Sequence, residues 1–178
     1  VPAPANVFSC ALGIPVSDKE TPSLYMLLRR TLTDIGLAPY SAKNAYQRER
    51  PFMVRGETVC TPKDEEALRK DGSYPSGHTA IGWGWALILT ELVPDRAEEI
   101  LARGRSFGES RNVCNAHWYS DVVAGRLVGA AAVAKLHASE EFREAMDKAR
   151  ADIERMRREG KQPQGDCAVE AEALSTGL

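Results

Sequence analysis

The sequence predicts an all-α fold, a single-domain helical bundle with two buried central helices. Three observations predict it. No stretch alternates apolar and polar residues as a half-buried strand would. Two stretches, residues 78–89 and 117–137, are apolar almost all round or built from Ala, Val and Gly, the mark of helices at the centre of a bundle. The other periodic stretches are amphipathic or highly charged and start or stop on capping residues. The chain has 178 residues, of which 43% are apolar, enough for one domain with a real core.

The elements follow in order. Residues 1–19 carry Pro, Asn, Gly and Ser and read as irregular. Thr21-Pro22 opens a helix, with Thr as cap and Pro at the first helical position. Leu24, Leu27, Leu28, Leu32 and Ile35 recur at helical spacing until Gly36. Residues 38–61 lack helical period and read mostly as loop. Residues 63–70 form a short charged helix, and 71–77 are turn chemistry. After the first central helix, Pro94-Asp95 breaks the chain and caps a helix over 96–110, with Ile100, Leu101 and Phe107 as its apolar side. Residues 112–115 link it to the second central helix, whose small residues allow close packing. Ser139 caps a charged helix that runs to Arg158, where Gly160 stops it. The division is a domain over 1–160 and an acidic tail over 161–178, poorly ordered or draped on the surface.

Net charge is −2 and the isoelectric point about 6.0, which argues against a nucleic-acid partner. The longest apolar run, 81–93, is shorter than the roughly 20 residues a membrane span needs. The expectation is a soluble protein without a membrane partner. No signal peptide is visible, and Val1-Pro2-Ala3-Pro4 reads as mature or trimmed material. Cys10, Cys60, Cys114 and Cys167 form no C-x2-C pair, so no zinc site is expected. An even count favours two disulfides and an oxidising compartment slightly over four thiols, with three connectivities open.

Three short stretches carry the chemistry: Lys43 to Arg50-Pro51, then Pro75-Ser76-Gly77-His78, then Ser110-Arg111 to His117 and Asp121. As a pattern they read K-x6-RP, PSGH and SR-x5-H-x3-D. His117 and Asp121, four apart near a helix start, share one face. A carboxylate beside an imidazole takes Nδ1–H and leaves Nε2 free as a nucleophile, which can accept a phosphoryl group covalently. Gly77 lets backbone approach an anion where a helix begins, and Ser76 adds a donor. His78, at the mouth of that helix, can protonate a leaving oxygen. Lys43, Arg50 and Arg111 neutralise phosphoryl oxygens, so three cations take a metal's place. Taken singly, each residue also has a structural reading: Ser76-Gly77-His78 as a turn and cap, Lys43 and Arg50 as solvated charges, Arg111 as a bridge to Glu109 or Asp121. Their joint occurrence favours metal-independent phosphoryl transfer through a phosphohistidine.

All eleven specified positions resemble those of the bacterial class A non-specific acid phosphatases. That group lies within the type 2 phosphatidic acid phosphatase superfamily, which also holds the vanadium haloperoxidases. Gly72-Ser73-Tyr74-Pro75-Ser76-Gly77-His78-Thr79 has the class A form, and the similarity runs from about Asn6 to Arg158. The resemblance implies His117 as nucleophile, Asp121 as its orienting carboxylate and His78 as general acid. It implies Lys43, Arg50, Ser76, Gly77 and Arg111 as ligands of the phosphoryl oxygens. It further implies a helical fold, no metal or other cofactor, a periplasmic location and a homodimer. The substrates would be a broad range of phosphomonoesters, with transfer to alcohols, and vanadate or molybdate as phosphate mimics. Cys60 with Cys114, and Cys10 with Cys167, are the pairings it favours. Family members carry upstream helices that are expected to be absent here, which bears on the pocket mouth and on assembly. Alternatives are a vanadium-dependent haloperoxidase, a lipid phosphatase and a non-catalytic phosphate-binding protein.

Overall fold

The computed structural model describes residues 7–175, and among these every regular element is helical. The α-helices are α1 (Ser9–Leu12), α2 (Pro22–Leu37), α3 (Tyr40–Tyr46), α4 (Pro51–Arg55), α5 (Glu65–Arg69), α6 (Gly77–Leu92), α7 (Ala97–Val113), α8 (Tyr119–Leu136), α9 (Glu140–Arg158) and α10 (Cys167–Ser175). The 3-10 turns Pro62–Asp64 and Pro94–Arg96 lead into α5 and α7. Among the described residues no single helix is long and apolar enough to cross a membrane.

Helix α6 is the axis of the bundle, and α2, α7 and α8 pack around it, with α9 covering α2. Its Trp85, Ile88 and Leu89 are fully buried among Leu24, Leu28 and Ile35 of α2 and Ile100 of α7. The buried indole donates to the Leu28 carbonyl at 3.1 Å, so its one polar atom is satisfied. The second central helix, α8, approaches α6 on glycine. A Cβ at Gly125 would lie 2.6 Å from the Ser76 carbonyl oxygen, and one at Gly129 would lie 2.5 Å from that of Ala80. No side chain fits between these backbones, so the crossing fixes the start of α6 against α8.

Several local expectations are corrected. Residues 38–61 are not mostly loop, because α3 and α4 lie within them. Pro51 opens α4 at a position where its missing N–H costs nothing, and Gly56 closes it with φ +67°. Thr21 does not cap α2 with its side chain, because its hydroxyl accepts the Ser17 amide at 2.9 Å. The free amides of Ser23 and Leu24 are served instead by Asp152 of α9, at 2.7 and 3.2 Å. This carboxylate also suits the positive end of α2. The irregular stretch contains α1, and residues 1–6 lie outside the described ones. Helix α7 runs on to Val113, through part of the expected link, and is not capped by Asp95, whose carboxylate pairs with Arg157 at 2.9 Å.

Within the tail over 161–178, residues 167–175 form α10, which buries no residue and lies draped on the surface. That helix is tied to α1 by a Cys10–Cys167 disulfide and to α7 by an Arg103–Glu170 ion pair at 3.5 Å. A second disulfide joins Cys60 to Cys114. Beside it, Phe52, Val59 and Ala116 make a small separate core under the segment that carries Arg50 and His117.

Candidate active site

A cavity of about 320 Å³ opens where α2, α3 and the starts of α6 and α8 converge. Lys43, Arg50, Asp71, Gly77, His78 and His117 line it, against an apolar wall that includes Leu32 and Ile81. A larger cavity of about 420 Å³ lies beside the Cys10–Cys167 bridge and has no imidazole. Chemistry rather than size selects the first.

His117 is 3% exposed and sits just ahead of α8, whose N-cap is Trp118. The expected one-turn spacing within a helix is therefore corrected. The turn from α7 to α8 presents the ring instead: the amides of Ala116 and His117 both donate to the Arg111 carbonyl, at 3.0 and 3.2 Å. Asn112 Nδ2 donates to the His117 carbonyl at 2.9 Å, and Asn115 takes a positive φ of 56°. Asp121 is the third residue of α8. Its Oδ2 accepts the Trp118 amide at 2.8 Å and lies 3.6 Å from His117 Nδ1. That second distance is too long for a hydrogen bond, and such contacts tighten when a reacting group binds. On the other side of the ring, Arg50 Nη1 is 3.2 Å from Nε2. A guanidinium can only donate, so Nε2 accepts and the ring proton resides on Nδ1, facing Asp121.

Lys43 comes from α3 rather than from a loop, and Arg50 is the N-cap residue of α4. Both are buried, at 3% and 1% exposure, and neither is a solvated surface charge. Arg50 is held by the carbonyls of Leu68 and Asp71 through Nε and by that of Ala116 through Nη1, at 2.9 to 3.0 Å. Lys43 Nζ donates to the Gly72 carbonyl. Between the two cations stands Asp71, 3.1 Å from Lys43 Nζ and 3.1 Å from Arg50 Nη2. Sequence reasoning missed Asp71, because Asp-Gly-Ser carries an ordinary turn signature that hides a charged role.

Gly77 and His78 begin α6. The Ser76 amide donates to the Asp121 carbonyl at 3.0 Å, joining the second and third motifs through backbone. Ser76 is fully buried, and its hydroxyl accepts from the Thr79 amide and hydroxyl at 3.3 and 2.9 Å. A Cβ at Gly77 would come no nearer than 3.9 Å to any other group, so packing does not require glycine there, whereas close approach of a ligand to the amide would. Ser76 and Arg111 are not among the residues that line the cavity. Arg111 makes no bridge to Glu109, which pairs with Arg126 at 3.5 Å, and its buried Nε has no hydrogen-bond partner among the described residues.

Burial and neighbouring cations set the charge states. Desolvation, with Arg50 and Lys43 close by, brings His117 down to about 4 against the opposing pull of Asp121. Desolvation and the charges of Arg111, His117 and Arg50 bring His78 down to about 3. Desolvation also lowers Lys43, Arg50 and Arg111, partly offset for the first two by Asp71. Burial alone would raise Asp121, but the His117 contact, the Trp118 amide and Arg48 together hold it below the usual carboxylate range. The site thus sets two neutral imidazoles beside Lys43 and Arg50, with Asp71 between the two cations.

A family model described as the PAP2 superfamily matches residues 23–143, a stretch that contains every residue of the three motifs. The chain belongs to the PAP2 superfamily. Among similar proteins are a non-specific acid phosphatase of Providencia stuartii, 46% identical over 155 residues, and an acid phosphatase of Zymomonas mobilis, 47% identical over 154. A non-specific acid phosphatase of Salmonella typhimurium is 46% identical over 150. These matches take in 86%, 84% and 84% of this chain and 62%, 57% and 60% of the relatives. The chain thus spans about three-fifths of the length of the curated relatives it matches. In PAP2 terms, the site joins three motifs through one backbone hydrogen bond and one guanidinium.

Proposed function

We propose that this PAP2 protein is a class A acid phosphatase that hydrolyses phosphomonoesters through a phosphohistidine. One observation carries the reading: His117 faces a cation-lined cavity with Nε2, keeps its proton on Nδ1 toward Asp121, and shares the cavity with His78. In the first step Nε2 attacks phosphorus, the P–N bond forms and the P–O ester bond breaks. The leaving oxygen takes a proton from His78. In the second step water attacks phosphorus, His78 takes its proton, the P–N bond breaks and phosphate leaves. An alcohol in place of water gives phosphate transfer. Lys43, Arg50, Arg111, Ser76 and the Gly77 amide hold the equatorial oxygens. The donor that Arg50 directs at Nε2 passes to a phosphoryl oxygen as attack begins.

His78 must be protonated to act as an acid, yet cations depress it. A phosphate ester supplies two negative charges beside it, which oppose those cations and raise its pKa in the complex. Hence kcat should show an alkaline limb set by the bound enzyme. Two disulfides favour an oxidising compartment, and we place the protein in the periplasm. We further propose phosphate, vanadate and molybdate as site ligands and a homodimer as the assembly.

The test is release of p-nitrophenol from its phosphate ester in EDTA between pH 4 and 9, with His117→Ala beside the wild type. Turnover by the wild type and an acid-labile, alkali-stable phosphoprotein on quenching are expected. A fully active His117→Ala protein would sink the reading. A panel of nucleotides, sugar phosphates and aryl phosphates measures breadth.

A further inference from the structure

Arg48 falls at an unspecified position of the first motif and is not among the residues that line the cavity, yet it reaches the back of the site. Its Nη1 donates to Asp121 Oδ1 at 2.7 Å and to Ser120 Oγ at 2.7 Å. Asp121 is fully buried, and this is its ion pair with a fixed cation. The carboxylate has three directions to satisfy: Oδ2 toward the Trp118 amide and His117, and Oδ1 toward Arg48. The guanidinium also lies over the Trp118 ring at 5.5 Å, and the Trp118 indole donates to the neighbouring Glu49 carbonyl at 2.8 Å. The Arg48 carbonyl accepts the Ser73 amide at 2.8 Å, which fixes this segment against the loop ahead of α6. Arg48 and Arg50 leave the same short segment and grip the His117–Asp121 pair from its two ends.

We propose that Arg48 is a positioning residue, which holds Asp121 ionised and in the rotamer that keeps the His117 proton on Nδ1 and Nε2 free to react. The inference rests on the phosphatase reading for its consequence in turnover. Without Arg48, a buried carboxylate would lose its fixed counter-charge, and an unpaired buried charge neutralises itself by taking a proton. The groups facing Asp121 are His117, Arg48, Arg50 and Lys43. Removing the Arg48 charge raises the pKa of Asp121, which moves the acidic limb of activity to higher pH.

Arg55 supplies an internal control. It lies over the same Trp118 ring, also at 5.5 Å, but bonds to Asn115 at 2.9 Å and not to Asp121. In the full chain, Arg48→Gln should lower kcat on p-nitrophenyl phosphate by up to about a hundredfold, the cost of a misplaced reacting group. KM and inhibition by inorganic phosphate should hardly change, because Lys43 and Arg50 remain. The acidic limb should move up, Arg48→Lys should recover part of kcat, and Arg55→Gln should behave as wild type. The ¹⁵N shifts of the His117 ring should report one Nδ1–H tautomer in the wild type and a mixture in Arg48→Gln. If Arg48→Gln does not fold, Arg48→Lys carries the same measurements, since an ammonium keeps the charge but not the planar group that lies over Trp118.

Wild-type kcat, acidic limb and tautomer in the Arg48 variant would overturn the proposal. So would equal losses in Arg55→Gln, which would trace the effect to Trp118, or a raised KM at constant kcat, which would make Arg48 a substrate ligand. Failure of the phosphatase reading itself shows separately, as an inactive wild type or an active His117→Ala. The tautomer measurement still decides the role of Arg48 in that case.

Discussion

The starts of α6 and α8 each deliver a histidine to the same cavity, and they do it by opposite means. His117 is held by polar contacts: Arg50 at one ring nitrogen, Asp121 beyond the other, and Asn112 and the Arg111 carbonyl on its backbone. His78 is placed by the backbone beneath it, where Gly125 allows α8 to touch the Ser76 carbonyl and the Ser76 amide bonds to Asp121. A group that must attack along one line needs its ring fixed at both nitrogens. A group that moves a proton between ring and leaving oxygen needs the right address and a side chain left to the cavity.

The largest expected effect separates the two. His117→Ala should abolish measurable turnover of every substrate, a loss of at least about 10³-fold, because no other group in the proposed mechanism forms the covalent bond. His78→Ala should cost about 10²- to 10⁴-fold with alkyl phosphates and far less with p-nitrophenyl phosphate, whose leaving group needs little protonation. Steady-state rates on both substrates check this. Equal losses on the two would break the division of labour.

Next in size is the backbone support of His78. Gly125→Ala puts a methyl group into the Ser76 carbonyl, and overpacking of this kind costs about 1–3 kcal/mol. Because the clash falls on the residue before Gly77, activity should drop further than stability predicts. Chemical denaturation and kcat on one preparation measure both, and a variant with native stability and rate would remove the close crossing from the account.

A pH series tests both histidines together. The unfolded chain takes up their protons near the ordinary value of 6.5, whereas the folded chain waits until about 4 for His117 and about 3 for His78. The stability they lend is complete above about pH 6.5 and is lost as pH falls through 4 and then 3. Tm should fall on acidification below 6.5, and inorganic phosphate should restore part of it by binding only the folded state. Thermal melts between pH 7 and 4 decide this, and a rising Tm would contradict two neutral buried imidazoles. The smallest effect is on the polar side: Asn112→Ala removes one bond to the His117 carbonyl, worth about 1 kcal/mol, and should lower kcat only a few-fold.

The division between polar and backbone support also explains what the sequence could tell. The central helices were legible because apolar residues on every face, as in Ile81 to Leu89, have no alternative to burial. Ser139 was legible as a cap because its partner, the Phe142 amide, is three residues away. Thr21 was not, because the group that serves α2 is Asp152, some 130 residues on. Helices α3 and α4 were missed because seven and five residues give too little period to read, and tertiary contacts through Lys43, Phe52 and Arg50 hold them. The motif residues could be named from spacing alone, but Asp71 and Arg48 could not. Their roles depend on which carboxylate or cation the fold sets opposite them.

The two disulfides nest, since Cys60–Cys114 falls inside the span closed by Cys10–Cys167. The chain from Cys10 onward is therefore a covalent ring with a smaller ring within it. His78 and Arg111 ride on the inner ring, and Lys43, Arg50, His117 and Asp121 on the outer one. A single cut anywhere between Cys10 and Cys167 would leave all of them on one connected molecule. Protease-nicked protein should migrate intact without reductant, and its fragments should part only once thiols are restored.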